Sequence, residues 1–288
     1  MKLYQYLNFD EKDGKYFRLE TVRRNKLWLS NPKTFNDPQE LKYILDTDYR
    51  FNSSDPAKLC QFIMKNIQDR NLLDQNLPIL DIDTTKQIQT MFGERIEDDS
   101  FLNVILASAL TTHRCAIACF SGSASNTLMW SHYSKGHSGF CVIYEIDDYP
   151  EGQKTSLFER RSNNRYLRSV DYTSKPKSIN YWDIFLGSAF EKILCTKSIE
   201  WAYEKEIRLI APNSLGSVTK LEKSGVETDL PDGFRITEIT AGCKIQASHL
   251  EHLQQAVNAL RELTKNDIKF TKAAINKNDF NIEIHDVD

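Results

Sequence analysis

The chain has 288 residues, 40% of them hydrophobic and 27% charged, with 37 lysines and arginines against 40 aspartates and glutamates and a formal net charge of −3. That length supports a substantial core and the composition is globular, which excludes a disordered chain; the even charge balance excludes a surface that binds nucleic acid everywhere, though not a local basic groove. No run approaches ~20 consecutive apolar residues, and the start, where Asp10, Glu11 and Asp13 soon follow Met1, lacks the apolar centre of a signal peptide, so the reading is a cytoplasmic protein with no membrane partner.

The opening Lys2-Leu3-Tyr4-Gln5-Tyr6-Leu7 alternates and is aromatic, which predicts a strand. A short helix is expected near Phe17–Asn25, then a second strand at Leu27-Trp28-Leu29-Ser30. Asn31-Pro32 stops that strand, because proline removes a ladder donor and restricts its predecessor. Asn36-Asp37-Pro38 is a turn. Ser54-Asp55-Pro56 is a helix start, and Leu59, Phe62, Ile63 and Ile67 follow at helical spacing, so residues 54–110 read as a helical insertion in a single domain spanning 1–288.

Ala116–Ser121 predicts a short buried strand and Thr127–Tyr133 a short helix. Gly139–Ile146 gives the clearest strand, and Leu167–Tyr172 reads as its continuation into a sheet. Trp182–Leu194 predicts an amphipathic helix. Ile207–Ile210 and Phe234–Ile239 predict strands, Ser248–Leu263 a helix begun by a serine cap, and Ile282–Ile284 a last strand. Strands and helices interleave without regular βαβ spacing. The fold class expected is therefore α+β, a mixed or antiparallel sheet core with the helical insertion and peripheral helices.

The six cysteines are scattered, as suits reduced thiols rather than a disulfide framework. Cys115 and Cys119 could hold a metal with His113, but Ala116-Ile117-Ala118 between them reads as buried backbone, so no metal is assigned. Phosphate-loop, dinucleotide-binding, serine-hydrolase and zinc-protease signatures do not occur in the sequence.

Three segments concentrate chemistry-bearing residues. The first runs from Trp28 to Pro38, where Asn36 and Asp37 either build their own turn or face a ligand. The second is Met129-Trp130-Ser131-His132-Tyr133, followed by Gly136-His137-Ser138-Gly139-Phe140. Trp130 and Tyr133 offer faces for stacking a base or a nicotinamide ring, and His132 can relay a proton near neutral pH. The third is Glu204-Lys205-Glu206-Ile207-Arg208. If a strand begins near Glu204, alternation puts Glu204, Glu206 and Arg208 on one face. That face is either solvated or the wall of a cleft, where Arg208 pairs with a carboxylate or a phosphate.

In their order these segments resemble a family. Leu3-Tyr4-x-Tyr6, the stretch Leu27 to Pro38 with Phe35-Asn36-Asp37-Pro38, Cys119-Phe120-Ser121, Met129-Trp130-x-His132-Tyr133 with Gly136-His137-x-Gly139-Phe140, and Trp201-x-Tyr203-Glu204-x-Glu206-x-Arg208 resemble an uncharacterised bacterial domain family akin to abortive-infection proteins of the AbiG type. Ile239-Thr240-Ala241-Gly242-Cys243-Lys244-Ile245 resembles its closing strand and turn. More distantly, the layout resembles ADP-ribosyltransferases, in which an early His or Arg, a middle Ser or Tyr and a late Glu surround NAD. Tyr4 or Tyr6 stands here in the first place, His132 or Tyr133 in the middle and Glu204 or Glu206 last.

That resemblance implies a bacterial defence or toxin enzyme that takes NAD as substrate and cleaves the nicotinamide–ribose bond, either as a transferase with a protein or nucleic acid as acceptor or as an NAD glycohydrolase. Glu206, His132 and Tyr6 would be catalytic. Tyr4, Ser30, Asn36, Asp37, Trp130, Tyr133, Glu204 and Arg208 would bind the nucleotide. A metal-dependent nuclease using Asp37, Glu204 and Glu206, and a non-catalytic module sensing a nucleotide or a phage product, are the two other readings.

Overall fold

The computed structural model describes residues 1–12, 15–45, 115–146, 166–179, 183, 188–212 and 224–287. The expected insertion at 54–110 lies outside the described residues, as does most of 182–187. By its contacts the chain divides into two compact units, one of Met1–Tyr43, Thr111–Lys177 and Phe190–Asp288, the other of Ile44–Leu110 and Ser178–Ala189. In the second unit, Ile44–Leu45 and Ser178–Ile179 form a short parallel pair. The first unit carries all three chemistry-bearing segments.

Its elements in chain order are β1 (Lys2–Leu7), α1 (Phe17–Arg23), β2 (Lys26–Ser30), a 3-10 turn (Pro32–Thr34), β3 (Cys115–Phe120), α2 (Thr127–Tyr133), β4 (Phe140–Ile146), β5 (Tyr166–Ser169) and β6 (Asp171–Thr173). Then come α3 (Ser188–Leu194, in this unit from Phe190 onward), β7 (Thr196–Ser198), a second 3-10 helix (Ile199–Glu204), β8 (Ile207–Pro212), β9 (Gly225–Asp229), β10 (Phe234–Ala241), α4 (Ala247–Thr264), β11 (Lys269–Ile275) and β12 (Ile282–Asp286). The fold is α+β. One five-stranded sheet runs β1-β4-β10-β11-β12, antiparallel except for the parallel pair β10 and β11 that α4 connects. A second, antiparallel sheet runs β9-β2-β3-β8-β5. Tyr4 in β1 bridges Ser121 just past β3, with N···O distances of 3.0 and 2.7 Å, and so joins the two sheets.

The alternation in β1 and β4 explains why both read so clearly. Leu3, Leu7, Phe140, Val142, Tyr144 and Ile146 enter the main core, which also holds Leu27, Leu29, Phe120 and the α4 side chains Leu253, Ala256, Val257 and Leu260. The alternate residues Tyr6, Cys141 and Ile143 pack on the other side with Met129 and Trp130 of α2. A sheet covered on both faces needs an almost continuous apolar strand, which is what Phe140–Ile146 supplies. Each large side chain buried this way contributes roughly 1.5–3 kcal/mol.

Three expectations are corrected. Residues 167–172 do not continue the strand at 140–146: β5 is the edge of the other sheet and β6 pairs with β7. The break falls at Val170, whose N–H bonds the Glu206 carbonyl at 3.0 Å. The last long helix begins at Ala247 with Gln246 before it and no side-chain cap, so Ser248 lies inside the first turn. Strands β9 and β11 were not anticipated. Both lean on register with a neighbour more than on their own pattern, since Gly225 to Asp229 is polar and Lys269 to Ile275 carries two lysines.

Gly139 sits where β1 and the end of α2 converge, and a Cβ there would stand 2.1 Å from the Leu7 carbonyl oxygen and 2.9 Å from Ser134 Cβ. Backbone cannot give way cheaply. Gly139→Ala is expected to lower the unfolding free energy by about 2–3 kcal/mol, read as a fall in urea midpoint.

Candidate functional site

The third segment does not begin as a strand. Ile199–Glu204 is a 3-10 helix, and Lys205 then takes a left-handed conformation at φ 46°. This reversal leaves Lys205 exposed and turns both Glu204 and Glu206 inward, to 2% and 6% exposure. Ser121 Oγ donates to the Glu204 carbonyl at 2.7 Å, and the Glu206 N–H donates to the Tyr172 hydroxyl oxygen at 2.7 Å. Only from Ile207 does β8 pair with β3 and β5, carrying Arg208 into the interior at 0% exposure.

A wholly buried guanidinium requires partners for every donor it hides. Arg208 Nε and Nη2 hold both oxygens of Glu206 at 2.9 and 3.0 Å. Nη1 bonds the Leu194 carbonyl at 2.5 Å, and Nη2 also meets Glu40. The guanidinium lies 5.2 Å from the centre of the Phe35 ring. Lys197 supplies the second buried cation: its Nζ is 2.7 Å from Glu204, 3.4 Å from Glu206 and 3.9 Å from Glu40. Tyr133 donates its hydroxyl to Glu204 at 2.6 Å and also hydrogen-bonds Asn36. The Cys119 thiol hydrogen-bonds Glu206. The three segments that the sequence singles out therefore meet in one buried network.

The network contains three carboxyl groups, Glu40, Glu204 and Glu206, and two permanent cations, Lys197 and Arg208; three minus two leaves one negative charge uncompensated. The groups share it unequally. Burial pushes Glu206 up, but Arg208 and Lys197 outweigh it and hold that carboxyl down at about 2. Burial raises Glu40 above the usual carboxylate range despite Arg208 and Lys197, and raises Glu204 despite Lys197 and the Tyr133 hydroxyl. Lys197 is raised: desolvation works against its charge, and Glu206, Glu40 and Glu204 prevail. Burial, and then Glu204, raise the Tyr133 hydroxyl, which therefore stays a donor.

Above this network lie rings that solvent can reach. His132 is exposed, and Trp201 and Tyr203 are half-buried. Their ring centres form a triangle with sides of 6.1, 6.2 and 6.0 Å. Lys197 Nζ sits 4.7 Å from the Trp201 ring centre, tying the triangle to the charges beneath. Asn126 fixes the relation of α2 to this patch: its side chain caps Leu128 and Met129 N–H and donates to the Tyr203 carbonyl at 2.6 Å.

Other nominated residues are placed differently. Trp130 is 0% exposed, with its indole N–H on the Ala124 carbonyl at 2.7 Å and the Tyr6 ring edge-on at 5.1 Å, so it is a core residue with no open face for a ligand. Tyr6 donates its hydroxyl to the Ser123 carbonyl at 2.7 Å and belongs to the same apolar cluster. Tyr4 holds the bridge between the sheets, and Ser30 pairs within the second sheet opposite Gly225 and Ile117. Asp37 closes its own turn through the Gln39 N–H at 2.8 Å, and its other oxygen is buried without a partner among the described residues. Glu40, Lys197, Tyr172 and Cys119 were not nominated. Glu40 and Lys197 each flank a nominated motif, but a single glutamate or lysine beside a motif carries no pattern that marks it as buried.

Residues 129–209 match a family described as Protein of unknown function (DUF2971). The match runs from α2 into β8. It takes in Tyr133, Lys197, Glu204, Glu206 and Arg208, and stops short of the Phe35–Glu40 segment. No curated protein and no solved structure matches the chain.

The pH dependence follows from the opposed shifts. Glu206, held low, contributes stability that is full above its ordinary value of 4.5 and is lost as pH falls toward about 2. Glu40 and Glu204, held high, work the other way, losing their contribution as pH rises through their raised values. The difference in urea stability between the wild type and Glu206→Gln is therefore expected to shrink between pH 4.5 and 2, and a constant difference would contradict the assignment. Tyr133→Phe removes a donor from a buried carboxylate and is expected to cost about 1–3 kcal/mol in the same assay at neutral pH.

Proposed function

We propose that this chain binds a nucleotide-type small molecule at the His132–Trp201–Tyr203 rings and senses it without turning it over. One observation carries the reading. Every carboxylate of the third segment is already engaged in the buried network, by Arg208, Lys197 or Tyr133, while rings from the same segments stay accessible. Flat accessible rings around a fixed frame are suited to stacking a base or a nicotinamide ring. NAD is the first ligand to try, because its pyridinium is planar and cationic and the network beneath carries one carboxylate more than it has cations. The resemblance to abortive-infection proteins of the AbiG type extends the proposal to bacterial defence.

The same charge excess favours a second reading, cleavage of the nicotinamide–ribose bond as in ADP-ribosyltransferases. The bond from the ribose carbon to the ring nitrogen breaks, its electron pair leaves with neutral nicotinamide, and water or an acceptor attacks the cationic ribose and gives up a proton. Glu204, which accepts from Tyr133, is better placed than Glu206 to stabilise that cation, since Arg208 holds both oxygens of Glu206. The nuclease reading has less support, because Lys197 and Arg208 stand where Glu204 and Glu206 would need a divalent metal.

Titrating the full chain with NAD while following tryptophan fluorescence tests the proposal. Saturable quenching that His132→Ala weakens about tenfold, without nicotinamide release, is expected. Nicotinamide release abolished by Glu204→Gln would replace sensing with cleavage. Absence of binding to NAD, to mononucleotides and to dinucleotide second messengers would overturn both.

A further inference from the structure

Two motifs, Gly136 to Phe140 and Gly242-Cys243-Lys244, have no part in the buried network, yet they are fastened to each other. Gly242 N–H bonds the Gly139 carbonyl at 2.9 Å and Lys244 N–H bonds the His137 carbonyl at 2.9 Å. A Cβ on Gly242 would stand 2.2 Å from the His137 carbonyl oxygen, so this position admits only glycine. The contact fixes the backbone of Lys244 where the chain leaves β10 for α4.

From there Lys244 joins the wall of a surface groove of about 560 Å³, with Cys243, Lys272, Ala274, His285 and Asp286. Lys272 and His285 are directly opposed across the β11–β12 pair. Neither lysine side chain has an ion-pair or hydrogen-bond partner among the described residues. The Lys244 charge is felt locally: after desolvation, it is the cause that lowers His137 below the usual histidine value. Asp286 is the acid in the wall, and Glu283 lies 3.3 Å from His285. Two ammonium groups against one lining carboxylate make a net basic groove, and its volume is that of a small-molecule site.

We propose that this groove is an anion site that takes the phosphate group of a phosphorylated small molecule, with Lys244 and Lys272 as point-charge donors and His285 as a third donor. It is separate from the ring triangle, and neither proposal depends on the other. The probe is inorganic pyrophosphate, titrated calorimetrically into the full chain at constant ionic strength. Saturable binding is expected, weakened about tenfold by Lys272→Gln and by Lys244→Gln, and unchanged by Lys269→Gln, an exposed lysine of the same strand. All three substitutions are at surface lysines and are expected to leave the far-UV spectrum unaltered. No saturable binding, or a loss with Lys269→Gln equal to that with Lys272→Gln, would overturn the assignment.

Discussion

A guanidinium with no access to water governs this structure. Arg208 is carried inward by β8, a strand paired on both sides, and none of its surface reaches solvent. Its charge has to be met where it lies. Glu206 meets it through two oxygens, Glu40 arrives from the segment after the Phe35–Pro38 turn, and the Leu194 carbonyl arrives from the end of α3. A glutamate two residues away, a carbonyl fourteen residues back and a glutamate 168 residues back are thereby bound to one group. Burial of this kind adds little net stability over an apolar core of the same shape, but losing one partner leaves a bare charge inside the protein. The network therefore fixes which segments must come together.

The same constraint shapes what the site can do. A carboxylate held by a fork of two hydrogen bonds is a poor nucleophile and a poor base, and Glu206 is such a carboxylate. Glu204 accepts instead from Lys197 and Tyr133, Glu40 accepts from Arg208, and burial raises both above the usual carboxylate range. From there order passes outward: Tyr133 is held by Glu204, Lys197 lies against Trp201, and Asn126 ties α2 to Tyr203. The accessible rings are thus positioned by charges that a ligand would not touch directly, and a ligand reaching them would meet a surface already organised.

The sequence conveyed much of the frame and little of the wiring. Lys2–Leu7 and Phe140–Ile146 were legible because alternation and an apolar run each report one local cause, and Thr127–Tyr133 is a helix whose Asn126 cap only the structure reveals. Gly225–Asp229 and Lys269–Ile275 were not, since their neighbours rather than their own patterns make them strands. The three segments were recognisable as concentrations of polar and aromatic residues, but their roles were misjudged in part. Trp130 looked like a stacking platform and is core, because an indole can be buried once its N–H finds a carbonyl. Glu204 and Glu206 looked like neighbours on a strand. They face the same way because Lys205 reverses the backbone, which no residue pattern around Lys205 announces. Glu40 and Lys197 were invisible, since burial of a charge depends on partners more than 150 residues away in the case of Glu40 and Arg208.

The central claim is that Glu40 and Arg208 join the first segment to the third. A double-mutant cycle with Glu40→Gln, Arg208→Met and the pair, read by urea denaturation at pH 7, measures that link. A coupling free energy of about 2 kcal/mol is predicted, since removing either partner takes one buried counter-charge from the other. Additive effects, within about 0.5 kcal/mol, would mean that the two residues do not share a buried ion pair and that the segments are not held together in this way.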